Sequence, residues 1–300
     1  MLVSRRHFLA TAAAGIALPQ RLWSASRIES GAMQVETLSD GHLVLPVDFV
    51  LGGMPETELA PILARHGIAG GALEPPCNVT LLRDGSRTIL FDVGAGADFM
   101  PTAGRLSEAL DALDLSPEEV THVLFTHGHP DHLWGLLDEF DEPLFANARH
   151  MMGRAEFDYW MDPDTASTIG EARQSFAAGA RRRLEAIANR ISLFEDGEAV
   201  LPGVTARLTP GHTPGHMAFL IDAADPMMIL GDAVTNPHVN FERPHWPSPS
   251  DQDAELAAET RVGLLDQLSA DGLILVGFHL PEGGIGRVER AAKGYRYLPG

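Results

Sequence analysis

Seven consecutive residues, Thr126-His127-Gly128-His129-Pro130-Asp131-His132, constrain this 300-residue chain more than any other stretch. The apolar run Val123 to Thr126 has the pattern of a buried strand, and Leu133 to Phe140 that of a short helix. Such a strand would deliver His127 at its C-terminal end. Gly128 and Pro130 then force an irregular loop, and Asp131 and His132 fall where the helix begins, a place where the helix dipole favours a carboxylate. One loop can thus aim His127 and His129 from one side, and Asp131 and His132 from the other, at a common point. Four candidate ligands in six residues are more than one zinc ion takes from a single loop, so the segment predicts two divalent ions sharing it.

Later strand ends repeat the device. Val204 to Thr209 runs into Pro210-Gly211-His212-Thr213-Pro214-Gly215-His216, a turn that can aim a side chain out of a sheet edge. His212 lies within the turn and is the better placed ligand. His216 opens the next strand, Met217 to Ile221, as a buried hydrogen-bonding residue; the converse assignment exchanges the two roles. Met227 to Leu230 ends in Gly231-Asp232, where an acid following two histidine clusters reads as a carboxylate bridging two ions rather than a plain turn residue. His279 follows the apolar run Leu273 to Val276. Asp92, after Thr88 to Phe91, is placed in the same way, with capping a turn and supporting a ligand both open to it.

Around these points the chain alternates short apolar runs with turn signals. Val79 to Leu82, Asp84-Gly85-Ser86 and Thr88 to Phe91 predict a hairpin, and a second strand-rich block is expected to open at Ile191 to Phe194. Helical spacing marks residues 168–188 and Asp253 to Leu268. Two strand blocks, each followed by helix, predict one α/β sandwich with two similar halves.

Composition narrows the chemistry. An apolar content of 45% excludes disorder and a small stapled scaffold. With 41 acids against 22 Lys and Arg, a net charge of −19 and Lys293 as the single lysine, nucleic acid and anionic lipid are poor partners. Thirteen histidines pull the other way, because imidazole and carboxylate together suit dications. The single cysteine, Cys77, excludes an intramolecular disulfide and a multi-thiolate zinc site; beside a predicted strand, it reads as packed rather than nucleophilic.

Residues 1–26 run from Arg5-Arg6-His7-Phe8-Leu9 through a mild Ala- and Gly-rich stretch to small residues, the order of a secretory signal of twin-arginine type. The apolar part is too short to span a membrane, and no later segment approaches that length. The expectation is a periplasmic or secreted protein consisting of one domain, 27–300.

Taken together, H-x-H-x-D-H at 127–132, G-H-T at 211–213, G-D at 231–232 and the late His279 resemble the metallo-β-lactamase superfamily, over about residues 35–300. The resemblance implies a four-layer αβ/βα sandwich with a metal site at one edge, between the two sheets. It implies one ion, zinc or else Mn, Co or Fe, on His127, His129 and His212, and a second on Asp131, His132 and His279. Asp232 would bridge them, with Asp92 and His216 supporting the ligands. Related diiron proteins carry Glu in place of His129, and β-lactamases proper carry Cys or Ser in place of Asp232; this chain has neither. Phe278-His279-Leu280-Pro281, Ile285-Gly286-Arg287-Val288 and Gly294 to Pro299 resemble the branch holding methyl parathion hydrolase and secreted lactonases, although Glu282-Gly283-Gly284 departs from its usual apolar Phe-Pro-Gly.

The function so implied is hydrolysis of a neutral ester-like small molecule, foremost a lactone such as an acyl-homoserine lactone, with organophosphate triesters as the alternative. Hydroxide held between the ions would attack, with Asp131 and Asp232 as the carboxylates at the reacting centre. A metal-binding relative without catalysis is the non-enzyme alternative. Phe157, Tyr159, Trp160, Phe241, His245 and Trp246 are candidates for pocket walls or for ordinary packing, and a homodimer is compatible with all of this.

Overall fold

The computed structural model describes residues 24–300. The expected signal therefore lies outside the described residues up to position 23; Ser24 to Ser26 open the first strand. The chain begins β1 (Ser24–Ser30) and β2 (Met33–His42), then leaves the sheet for a small pair, β3 (Leu45–Pro46) and β4 (Ala72–Leu73). It returns through β5 (Pro76–Arg83), β6 (Thr88–Phe91), β7 (His122–Phe125), β8 (Arg149–Gly153) and β9 (Ser192–Phe194), which with β1 and β2 form one seven-stranded sheet. The second seven-stranded sheet runs in simple sequence order: β10 (Ala199–Leu201), β11 (Val204–Leu208), β12 (Met217–Ile221), β13 (Met227–Ile229), β14 (Ile274–Val276), β15 (Ile285–Arg290) and β16 (Tyr295–Pro299).

The pleat explains why the two sheets stack. In β6, Ile89 and Phe91 face the second sheet while Leu90 faces the helices; in β12, Met217, Phe219 and Ile221 face the first sheet while Ala218 faces away. Phe91 and Phe219 meet across the interface with ring centroids 5.1 Å apart. The helix Gln174–Ile187 covers the outer face of the first sheet through Ala177, Ala180, Leu184 and Ile187, and Ala254–Asp271 covers the second through Leu264, Leu265 and Leu268. Strands buried on both faces read as continuous apolar runs, which is why they are visible in the sequence. The result is the expected four-layer αβ/βα sandwich.

Two local expectations are corrected. Ser192–Phe194 belongs to the first sheet, not the second block: after the helix Gln174–Ile187 it returns parallel to β8, as a strand–helix–strand crossover requires. The helix after the histidine loop begins earlier, at Pro130–Leu133, and becomes a 3₁₀ turn at Trp134–Leu136, leaving Phe140 exposed. Proline suits the first helical position, and Gly135 is held by the close approach of the Val93 carbonyl.

Candidate metal centre

The ends of β6, β7, β11, β13 and β14 carry Asp92, the 126–132 loop, the 209–216 turn, Asp232 and His279 respectively, and the fold brings them to one place. Two groups form there. His127 Nε2 lies 3.0 Å from His129 Nδ1, which lies 2.9 Å from His212 Nε2. Beside them His132 Nε2 is 3.4 Å from Asp131 Oδ2 and 3.1 Å from Asp232 Oδ1, and His279 Nε2 is 3.2 Å from Asp131 Oδ2. Asp232 Oδ2 touches both groups, 3.3 Å from His212 Nε2 and 3.3 Å from His279 Nε2. All seven residues are buried.

Hydrogen bonding on the outer side fixes which ring nitrogens face inward. His132 Nδ1–H donates to Asp92 Oδ2 at 2.8 Å, His212 Nδ1–H to Asp251 Oδ1 at 2.8 Å, and His279 Nδ1–H to the Pro76 carbonyl at 2.8 Å. The Thr126 hydroxyl donates to Asp92 Oδ2, so its oxygen accepts from His127 Nδ1–H at 3.0 Å. In the neutral form of each of these rings the inward nitrogen is then a bare lone pair. Lone pairs converging at about 3 Å repel one another unless a cation lies between them, and ligand nitrogens about 2.0–2.1 Å from a tetrahedral zinc ion stand only slightly farther apart. Asp131 Oδ2, His132 Nε2 and Asp232 Oδ1 are moreover buried without any hydrogen-bond partner. The donor set fits divalent cations.

The electrostatics agree. Burial, reinforced by the neighbouring histidines, holds His127 and His129 well below the ordinary imidazole range. Burial opposes charge at His132 and His279 as well, but Asp232 and Asp131 reverse it and hold both rings well above that range. The two acids thus demand positive charge at this point, whether as protons or as bound cations. Burial pushes the Cys77 thiol up to about 12, in keeping with a packed side chain.

Both ring nitrogens of His216 are engaged within the protein. Its Nε2 accepts the Asp232 backbone N–H at 2.9 Å and its Nδ1 pairs with Thr209 Oγ1 at 2.7 Å, leaving no nitrogen for an ion; burial depresses it to about 3. Asp92 both caps the Thr126 backbone N–H and orients His132. Two buried acids escaped the sequence reading. Asp251 holds His212 and is itself held by Arg261 at 2.9 Å. Glu156 accepts from Gly128, Trp160, Thr213 and Gly215. The spacing of Glu156 and Trp160, four residues apart on one helical face, was the signal available for the second.

A cavity of about 670 Å³ opens beside this centre, lined by His129, Asp131, His212, Asp232 and His279 together with apolar residues that include Leu45, Phe49, Phe99 and Phe176. None of the six aromatic candidates lines it. Trp160 and Phe241 are core residues, Trp246 packs with Val50 and Ile62, Phe157 and Tyr159 pack against the helical layer, and His245 is exposed. The walls come in part from Thr235 to His238, just after Asp232, and otherwise chiefly from the 43–76 stretch, Phe99 and Phe176, where sequence order gives no hint of proximity to the histidines. Glu282 is exposed, and Pro281 rather than Glu282 reaches the cavity.

Residues 73–275 match the metallo-beta-lactamase superfamily, and the chain belongs to it. Among curated relatives, N-acyl homoserine lactonase AttM of Azorhizobium caulinodans is 29% identical over 140 residues, covering 45% of this chain and 47% of AttM. Against uncharacterised proteins of Mycobacterium bovis and Mycobacterium tuberculosis, the 30% identical match spans 64% of their length. Among solved structures, a hydrolase of the beta lactamase superfamily, AbOPH, superposes with a TM-score of 0.84 at 28% identity, covering 91% of this chain and 96% of that one. AidC, described as a dizinc quorum-quenching lactonase in complex with a product, has the same fold, with a TM-score of 0.85 at 24% identity over 93% and 98% of the two chains. No helix among the described residues is long and apolar enough to cross a membrane.

Proposed function

Given that membership, we propose that the chain is an exported, dinuclear metal-dependent hydrolase of a neutral, largely apolar ester, foremost a lactone. The observation that carries this reading is that the clustered histidines and acids share one cavity with an apolar wall. In this reading His127, His129 and His212 hold one ion and Asp131, His132 and His279 the other, with Asp232 between them. Two divalent ions so held supply Lewis acidity and a water that ionises near neutral pH. The chain keeps the imidazoles in the lone-pair tautomer through Thr126, Asp92, Asp251 and Pro76. Phe49, Phe99 and Phe176 seat the uncharged tail of the substrate and exclude bulk water from the reacting carbonyl. Asp232, lying between the two groups and held ionised, is positioned to take the proton given up by the attacking water and pass it to the departing oxygen. That AttM and AidC are lactonases supports the lactone; the twin-arginine pattern at the N-terminus supports export.

A phosphotriester is equally uncharged and suits the same cavity, so it stands as the second reading. The test is metal content together with initial rates on acyl-homoserine lactones, an aryl phosphotriester, nitrocefin and a phosphodiester. Two ions per chain and turnover foremost of the lactones are expected. Two bound ions with no turnover of any of the four would end the hydrolase reading, and preference for the triester would replace the lactone.

A further inference from the structure

We infer that Glu156, a residue with no place in the ligand set, is a positioning residue that clamps the two loops carrying the three-histidine group. The inference rests on the metal reading above.

Glu156 lies in the first turn of the helix Arg154–Met161 and is fully buried. Its Oε1 accepts the Gly128 backbone N–H at 2.9 Å and the Trp160 indole N–H at 2.6 Å. Its Oε2 accepts the Thr213 hydroxyl at 2.7 Å and the Gly215 backbone N–H at 3.1 Å. Gly128 lies between His127 and His129, and Thr213 follows His212. One carboxylate thus joins loops from the two different sheets, at the residues flanking all three histidines.

The glycines corroborate the clamp. A Cβ at Gly128 would overlap the Trp160 indole, and one at Gly215 would overlap the backbone of Ala155 and Glu156. Neither glycine has a positive φ, so close approach to this helix, rather than an unusual backbone conformation, is what excludes a side chain. Because all four partners donate, an amide cannot replace the carboxylate. Gln would set its NH₂ against Gly128 and Trp160 in one orientation and against Gly215 in the other. The consequence falls first on the three-histidine group, since the hydrogen bonds of Glu156 go to Gly128, Trp160, Thr213 and Gly215 and to none of Asp131, His132, Asp232 and His279.

The experiment uses cobalt-loaded protein challenged with increasing chelator, with visible absorption reporting the coordination of each ion. E156Q should release one ion at roughly 10–100-fold lower chelator, with an altered cobalt spectrum, while the other ion leaves as in the wild type. The ion released early should be the one that His212→Ala also releases early. Should E156Q fail to fold, Thr213→Val removes one donor at constant shape and should weaken the same ion, with Thr213→Ser restoring it. The inference is overturned if E156Q or Thr213→Val keeps the ion that His212→Ala loses, or weakens both ions equally. A wild-type chain holding one ion instead of two would overturn the two-ion reading, separately from the clamp.

Discussion

At the scale of single residues, the histidines divide by what their outer nitrogens touch. Those of His127, His132, His212 and His279 are tied to acceptors, whereas His150 is fully buried with neither ring nitrogen partnered, stacked on Phe125 at 6.3 Å. Burial, and then Arg190, depress it from 6.5 to about 4. The folded protein therefore binds fewer protons than the unfolded chain between those values, and stability drains away as pH falls through that window, by up to ~3 kcal/mol. Urea unfolding of chelator-treated protein at pH 7 and pH 4.5 should show a smaller acid loss for His150→Leu than for the wild type; equal losses would remove His150 from the account. The same contrast shows what single residues disclose in advance. Histidines and acids after apolar runs announce themselves because strand ends are where side chains can be aimed. Glu156 and Asp251 do not, because each acts across a tertiary contact with a loop distant in sequence.

Elements were legible where one physical cause dominated. The hairpin β5–β6, β7 and the helix Ala254–Asp271 follow from apolar periodicity and turn residues; Asp253 caps that helix by accepting from Leu256, and Gly272 closes it with φ +64. Ser192–Phe194 was misplaced because nothing within three residues tells which sheet a strand joins; the crossover through Gln174–Ile187 decides it. The 209–216 turn illustrates a constraint set by a neighbouring element. Ala at Gly215 would collide with backbone, which cannot rotate away, whereas Ala at Gly128 meets only an indole. Gly215→Ala should therefore lower stability by about 1–3 kcal/mol or more, and Gly128→Ala by less. Thermal unfolding of the two metal-free variants orders them, and the reverse order would show that the helix Arg154–Met161 yields more readily than the packing implies.

For the molecule as a whole, the acidity is a surface property, since only a few of the 41 acids approach the centre. Bound ions should stabilise the fold by mass action, about 4 kcal/mol when free metal exceeds Kd a thousandfold. Chelation should accordingly lower Tm and zinc should restore it; an unchanged Tm would mean that the seven donors hold no ion in the folded state. The two sheets also share ownership of the centre. The first supplies His127, His129, Asp131 and His132, and the second supplies His212, Asp232 and His279, with the passage from one to the other between Phe194 and Ala199. Neither half owns a complete group, so an ion in either one acts as a latch across the seam. A chain severed in the 195–198 turn would have its halves drawn together by metal, turning reassembly into a readout of the ion itself.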